Sequence, residues 1–517
     1  MTLTKYPDYD KMIKIKQEVP HMRKFILLKK IAAAAVGTAI LSAAMAIPSS
    51  AAKSFESAEK AVGNIKAGWN LGNALDSNGA WIKQYSDGAP SDYETAWGNP
   101  VTTRELISAV KKAGFNAVRV PVTWAEHIDG SGNIDKEWLD RVQEVVDYVI
   151  SQDLYCVLDV HHDAGSEGWL KASESSYKNN SGKFAGLWKN IAERFKDYGE
   201  KLIFEGYNEI LDSSSSWTDA KQKDAYQSAN DFNQLFVDTV RKTGGNNGSR
   251  NLMVQVYSGS VTEKALAGFV LPKDTAKDHL IIQVHNYDPQ GFTFSDAAWT
   301  TMTDKWGTDE DKAYTDEQMA RLSEFSGLHG VPLVVGEFGA DFKNNDSSRK
   351  AYAGHFVSEA AKYGIKCFWW DTGGMALFDR KSCTVTHPDV VKALTEYSAN
   401  KNSSNTDGSK TTDKKSDGKT DPSKKESKLP APTIKAKAGT DKITIKWSEV
   451  EGAHHYKVYQ YDPKTKKYTK LKATYGTSCT IKDVKKGSYK FIVCAVEKTD
   501  DGYVNGKYPK AVTISVK

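Results

Sequence analysis

Between residues 54 and 397 the chain alternates two hydrophobic rhythms. Short apolar runs of strand type occur at 65–73, 117–124, 155–162, 202–209, 251–259, 280–287, 332–339 and 365–372. Between them lie longer stretches whose apolar residues recur every three and four positions, at 102–113, 135–151, 183–198, 225–242, 316–326 and 348–363, as the buried stripe of a surface helix requires. Parallel strands need crossovers of about helix length, so eight strand runs alternating with such helical stretches over this span predict a (β/α)8 TIM barrel occupying residues 54–397.

The rhythm then stops. Residues 400–428 contain no aromatic residue and no aliphatic side chain larger than proline, too little apolar surface to offset the entropy of ordering, so 398–429 is expected to be a flexible polar linker. From residue 430 short period-two runs appear at 433–438, 443–447, 455–461, 468–474, 478–481, 489–496 and 512–516. They predict a small all-β, immunoglobulin-like sandwich over 430–517. The runs Ile443-Thr444-Ile445-Lys446-Trp447, Tyr456-Lys457-Val458-Tyr459 and Tyr489 to Val496 resemble a fibronectin type III domain, which implies a core role for Trp447 and a tyrosine-corner role for Tyr489. His454 and His455 lack a third ligand nearby and are expected at the surface.

At the other end, Met22-Arg23-Lys24 and Lys29-Lys30 precede a charge-free run from Ile31 to Ile47 that ends in small residues. Basic, apolar, then small is the order of a secretory signal, expected here over 22–52 and downstream of residues 1–21. The run is shorter than the roughly 20 residues that span a bilayer. Five cysteines in 517 residues match no disulfide or metal spacing. Cys156 and Cys367 fall inside strand patterns and read as buried free thiols, and no cysteine near the end of the signal offers a lipid anchor.

The net charge of +5 conceals an asymmetry, for residues 400–517 carry twenty-six lysines against thirteen acids. The barrel region is acidic, which argues against nucleic acid as its substrate. The basic tail admits association with anionic cell-wall polymers, although charge runs are commonly only solvated surface.

Active sites of such barrels form where the strands end, and those ends are polar here. Arg119 closes the second strand, Asp159 to Asp163 the third with His161 and His162, Asn208-Glu209 the fourth, His285-Asn286-Tyr287 the sixth, Glu337 the seventh and Trp369-Trp370-Asp371 the eighth. One polar residue at a strand end is commonplace, whereas six strands ending in this way mark a reactive mouth. Two carboxyl groups carried by strands suit glycoside hydrolysis, which needs one as acid and one as base or nucleophile. The nucleophile must be ionised, and Arg119 is the nearest candidate cation to keep it so. Glu205 shares strand parity with Glu209 but lies a layer deeper, where a salt-bridged structural role is expected. A metal site from His161, His162 and Asp163 is opposed by parity, since adjacent strand residues point to opposite faces.

From Gly68-Trp69-Asn70-Leu71-Gly72-Asn73 through Arg119, His161-His162, Asn208-Glu209, His285, Tyr287 and Gly336-Glu337-Phe338-Gly339 to Trp370, residues 60–395 resemble glycoside hydrolase family 5, the old cellulase family A of clan A. Ile210 departs from the proline frequent after the acid, which affects the subgroup more than the chemistry. The resemblance implies Glu209 as general acid/base, Glu337 as nucleophile and a retaining double displacement. It further implies supporting roles for Asn73, Arg119, His161, His162, Asn208, His285, Tyr287 and Trp370. Asn208 would hold the 2-hydroxyl of the reacting sugar, Tyr287 would donate to the nucleophile and His285 would orient the acid. Which of His161 and His162 faces the cleft stays open.

Tryptophans set the substrate class, because indole faces stack on pyranose rings. Trp370 matches the family's platform, and Trp69, Trp97, Trp124, Trp169 and Trp217 are further candidates. Serine-hydrolase elbows, Walker loops and dinucleotide fingerprints are missing. The expected protein is a secreted, monomeric endo-1,4-β-glucanase without cofactor or metal, acting on cellulose-type β-glucan. Xyloglucan, mixed-linkage glucan or mannan are the alternative backbones. A non-catalytic carbohydrate binder is disfavoured by the presence of both carboxylates.

Overall fold

A computed structural model describes residues 55–397 and 429–516, apart from 440, 464–466, 475, 482–483 and 500–501. The expected signal and all but Leu429 of the expected linker lie outside the described residues.

Eight parallel strands close into a barrel in chain order. They are β1 (Gly68–Asn70), β2 (Ala117–Val120), β3 (Tyr155–Leu158), β4 (Leu202–Glu205), β5 (Leu252–Gln255), β6 (Leu280–His285), β7 (Leu333–Phe338) and β8 (Lys366–Trp370). After them in turn come α1 (Arg104–Lys112), α2 (Lys136–Ile150), α3 (Glu174–Arg194), α4 (Ala225–Lys242), α5 (Glu263–Gly268), α6 (Asp309–His329), α7 (Asp346–Lys362) and α8 (Pro388–Glu396). Strands β1 to β7 are buried along their whole length, the reason they read as continuous apolar runs rather than as alternation.

Each strand is shorter than its apolar run, because ladder pairing ends where the chain leaves the barrel while the following residues stay packed beneath the loops. Two helices begin earlier than their apolar stripes. Ser173 caps α3 by accepting from the Ser176 N–H at 3.2 Å, and Thr308 caps α6 in a reciprocal box with Asp311. Such caps are each worth about 1 kcal/mol and carry polar first turns that periodicity does not detect.

The barrel interior is layered. At the bottom, Ala117, Val157, Ile203, Met253, Ile281, Val334 and Phe368 form an apolar plug, sealed by Ala58, Ala61 and Val62 of the helix Ala58–Asn64. One step up, the interior turns polar, with Asn70, Arg119, Asp159, Glu205, Gln255 and Gln283 all buried. Outward-facing Val118, Val120, Cys156 and Leu158 join Val142, Val145, Val146 and Val149 of α2 in the main core. All five cysteines are free.

Strand β7 departs from regular pairing at a place that matters. Val284 pairs with Val335 but His285 pairs with Glu337, so Gly336 is an extra residue. Counting by twos from inward Val334 would turn Glu337 toward the helices; the bulge reverses the parity and brings Glu337 into the barrel mouth. A Cβ on Gly336 would stand 1.9 Å from Gln283 Nε2. Only glycine fits there.

The C-terminal region is a pair of antiparallel sheets. One holds β9 (Ile434–Ala438), β10 (Ile443–Trp447) and β13 (Ser478–Ile481); the other orders β12 (Lys467–Thr474), β11 (His455–Asp462), β14 (Gly487–Thr499) and β15 (Gly502–Asn505), with β16 (Val512–Val516) also on β14. Ile443, Ile445, Trp447, Val458, Phe491 and Val493 fill the core. His455 is buried rather than exposed: it shares with Lys457 the face of β11 turned away from the sandwich core, and its Nε2 lies 3.4 Å from Glu324 Oε1 of α6.

Candidate active site

Arg119 organises the polar layer. Its Nε and one terminal nitrogen grip Glu205 at 2.7 Å each. The fork also reaches Asp159 Oδ2 at 2.7 Å, Glu337 Oε1 at 2.6 Å, Asn208 Oδ1 at 2.9 Å and Asn70 Oδ1 at 3.1 Å. Burial works against the charge, but Glu205, Asp159 and Glu337 outweigh it and hold the guanidinium well above its ordinary value. Glu205 is thus the salt-bridged interior residue expected from its depth.

Glu337 receives the Arg119 fork on one oxygen and the Tyr287 hydroxyl on the other, at 2.9 Å. Its carboxyl stays raised above the ordinary value, chiefly by burial and further by the neighbouring Glu209, although His285, Arg119 and the Tyr287 hydrogen bond oppose the rise. Glu209 lies beyond the end of β4 with a left-handed backbone, φ 39°, a conformation rare outside glycine and typical of functional sites. Its own N–H donates to Gln255 Oε1 at 2.5 Å. Burial lifts the Glu209 carboxyl to about 7, opposed only by Arg119.

His285 stands between the two acids. Its Nδ1 lies 2.7 Å from Glu209 Oε1 and 3.6 Å from Glu337 Oε2. Burial lowers the ring to about 4, so it is neutral near pH 7. One oxygen of Glu209, one of Glu337 and one ring nitrogen of His285 fall within 4.8 Å of one another.

Asn208 accepts from Arg119 through its oxygen, which turns its amide nitrogen the other way, 3.5 Å from His161 Nε2. His161 is buried, holds Asp159 Oδ2 through Nδ1 at 2.8 Å, and lies parallel to the Trp370 indole with 5.7 Å between ring centroids. His162 is half-buried beside Trp97. Both histidines line the cleft, with Asn208, Glu209, His285, Tyr287, Glu337 and Trp370. The cleft has a volume of about 880 Å³.

Asn73 lies apart from these lining residues. It occupies the turn after β1 with φ 54°, its N–H on Asp76 and its carbonyl accepting from Asn99. Asn70, three residues earlier, is the one in the polar layer. Trp69 and Trp124 are fully buried, so they are core residues and not platforms. Trp69 packs edge-on against Phe378, and the Trp124 indole donates to the Asp159 carbonyl. Trp97 and Trp169 are absent from the cleft lining, whereas Trp217, 50% exposed, is on it.

Three contributors escaped the sequence reading. Trp299, 71% exposed, stands on the cleft rim in the loop after β6; its signal was an indole next to Thr300 and Thr301 in the long segment between β6 and α6. Gln255 and Gln283 are the other two, each an amide inside an apolar strand. Asp163 is taken by the Trp124 N–H and the Trp169 indole, at 2.8 and 2.7 Å, and so does not join His161 and His162 as a ligand set. Asp76 does lie near both histidines, and Asp316, His355 and Glu359 form a separate group of close ligand atoms.

Chemically, the mouth presents one carboxyl held by a cation and a phenol, and a second that retains its proton to near neutrality. Known proteins share this framework. The family described as cellulase (glycosyl hydrolase family 5) matches residues 75–375. Endoglucanase A of Clostridium longisporum is 37% identical over 327 residues, 62% of this chain and 60% of that protein. Endoglucanase A of Ruminococcus albus is 36% identical over 354 residues, 66% of this chain and 92% of that protein. A glycoside hydrolase family 5 enzyme of Prevotella bryantii, solved with a xyloglucan tetradecasaccharide, is 36% identical with a TM-score of 0.60, covering 66% of this chain and 99% of its own. The chain thus spans 60% of the length of the Clostridium longisporum enzyme and 92% of that of the Ruminococcus albus enzyme, and it belongs to the cellulases of glycoside hydrolase family 5.

Proposed function

We propose that this endoglucanase cleaves β-1,4-glucan chains internally by a retaining double displacement, with Glu337 as nucleophile and Glu209 as acid/base. The observation that carries the reading is the close approach of the two carboxyls, with oxygens within 4.8 Å. Retaining glycosidases place them about 5 to 5.5 Å apart, whereas inversion leaves room for a water at roughly 6.5 to 9.5 Å. Their unlike surroundings support the division of labour: Arg119 and the Tyr287 hydroxyl hold the two oxygens of Glu337 as an ion pair would require, whereas burial lifts Glu209 with only Arg119 opposing it.

In the first step the Glu337 carboxylate bonds to the anomeric carbon while Glu209 gives its proton to the departing glycosidic oxygen. In the second, Glu209, now ionised, takes a proton from water, whose oxygen attacks the same carbon and frees Glu337. In this reading the Asn208 amide holds the 2-hydroxyl and Trp370 stacks on a sugar ring, supported by their position in the cleft lining beside the two acids. The xyloglucan complex of the Prevotella bryantii relative favours a broad specificity that tolerates branches.

Export through the 22–52 signal, a linker over 398–429 and a monomeric state complete the proposal, with the barrel and the sandwich as separate domains at 54–397 and 430–517. The C-terminal sandwich fits a fibronectin type III module: the Tyr489 hydroxyl donates to the Lys485 carbonyl at 2.8 Å, the geometry of a tyrosine corner. Its lysine excess favours a spacer or wall-associating role. Product-chain analysis and anomeric NMR on carboxymethylcellulose, mixed-linkage glucan, xyloglucan and mannan test the whole. Activity on none of them, or an inverted product, would overturn it.

A further inference from the structure

Beneath the two acids lie two glutamines that the reaction as described does not use. Gln255 ends β5 and Gln283 lies within β6, both buried. Gln283 Nε2 donates to Glu205 Oε2 at 3.0 Å, and Gln255 Nε2 donates to Gln283 Oε1 at 3.1 Å. Gln255 Oε1 accepts from the Glu209 N–H, and Gln255 Nε2 also lies 3.2 Å from His285 Nε2.

An amide has one accepting and one donating end, so each orientation here constrains the next. Glu205 takes both of its Arg119 contacts as a two-pronged carboxylate, a geometry that accepts hydrogen bonds only. Gln283 must therefore turn its nitrogen to Glu205 and its oxygen to Gln255. Gln255 must then turn its nitrogen to Gln283, which leaves its oxygen for the Glu209 N–H. The two ends of the chain, reached from Glu205 and from the Glu209 backbone, demand the same orientation. The second N–H of Gln255 meets His285 Nε2, which has to accept. A neutral ring then carries its proton on Nδ1, and that N–H donates to Glu209 Oε1. The room for this arrangement is built in, since any side chain at Gly336 would strike Gln283.

We infer that Gln255 and Gln283 are positioning residues that fix His285 as the Nδ1–H tautomer and so keep the acid proton of Glu209 on Oε2. That oxygen meets no hydrogen-bond partner among the described residues, and Glu209 itself lines the cleft. With the opposite tautomer, the Glu209 proton would be drawn to His285 Nδ1, away from the glycosidic oxygen. No proton travels along the glutamines; they transmit orientation alone. The inference rests on the reading of Glu209 as acid/base.

The full-length protein labelled with 15N-histidine tests it without any substitution: the His285 signals should show a protonated Nδ1 and a bare Nε2. In Gln255→Met and, independently, Gln283→Met, the tautomers should mix. Hydrolysis of cellotetraose should then fall on the order of 10- to 100-fold, while a dinitrophenyl cellobioside, whose leaving group needs no acid, should be cleaved at near the parental rate. A protonated Nε2 in the parent, or losses equal on both substrates, or no loss on either, would overturn the inference. Glu209→Gln separates the two levels, because it must show the same leaving-group selectivity if Glu209 is the acid. Failure there removes the acid/base reading itself; success there with unselective glutamine variants removes only the positioning role.

Discussion

Arg119 meets Glu337 at 2.6 Å with the same guanidinium that holds Glu205 and Asp159. One cation thus serves three buried acids, and the negative charge of the mouth depends on it. Arg119→Met leaves those acids without their shared cation, and breaking a buried ion pair costs about 3 to 5 kcal/mol. Urea denaturation at neutral pH should show a loss of that order, with activity reduced at least about 100-fold. Arg119→Lys should recover little of either, because an ammonium cannot match oriented contacts to five residues.

The rate should fall as pH rises through about 7, where Glu209 loses the proton it must donate. A profile of kcat/KM on cellotetraose checks this. In Glu209→Gln the limb should vanish together with most of the activity.

Stability should move with pH in the same window. Burial raises Glu209 from 4.5 to about 7, so the native state binds its proton more tightly than the unfolded chain does. That contribution is complete below about pH 4.5 and is lost as pH rises through about 7, a swing of about 3 kcal/mol. Glu209→Gln should therefore melt higher than the parent at pH 8 and at about the parent's temperature at pH 4. Thermal melts at the two pH values decide it.

Trp299 and Trp217 stand exposed on the rim of the cleft, away from the carboxyl pair. Removing an indole that stacks on a sugar forfeits about 1 kcal/mol. Trp299→Ala and Trp217→Ala should each raise KM for long oligosaccharides about fivefold and leave a short aryl cellobioside little changed.

Gly336→Ala should damage the site without touching either acid. Its methyl group collides with Gln283, and the bulge that aims Glu337 inward has to move. Both melting temperature and turnover should drop, as circular dichroism and a reducing-end assay would report.

That bulge marks the limit of what the sequence displays. The barrel was legible because its strands are buried on both faces and its helices keep a regular apolar stripe. Arg119, Asn208, Glu209, His285, Tyr287 and Trp370 were legible because polar residues closing apolar runs have few reasons to be there. Glu337 was found by its motif, yet plain alternation from Val334 points it outward, and only the extra residue Gly336 corrects this. Trp69 and Trp124 read like platforms because a strand end does not declare which way an indole turns. Trp299 was missed because its loop takes its shape from tertiary packing. Asn73 and Asn70 share a motif, and the turn after β1 decides which one enters the barrel.

The division of roles between the two glutamates is the centre of this account. Trapping with a 2-deoxy-2-fluoro cellobioside bearing a good leaving group, followed by peptide mass spectrometry, addresses it directly. The account predicts a single covalent glycosyl adduct on Glu337, and an adduct on Glu209 or Glu205 would contradict it.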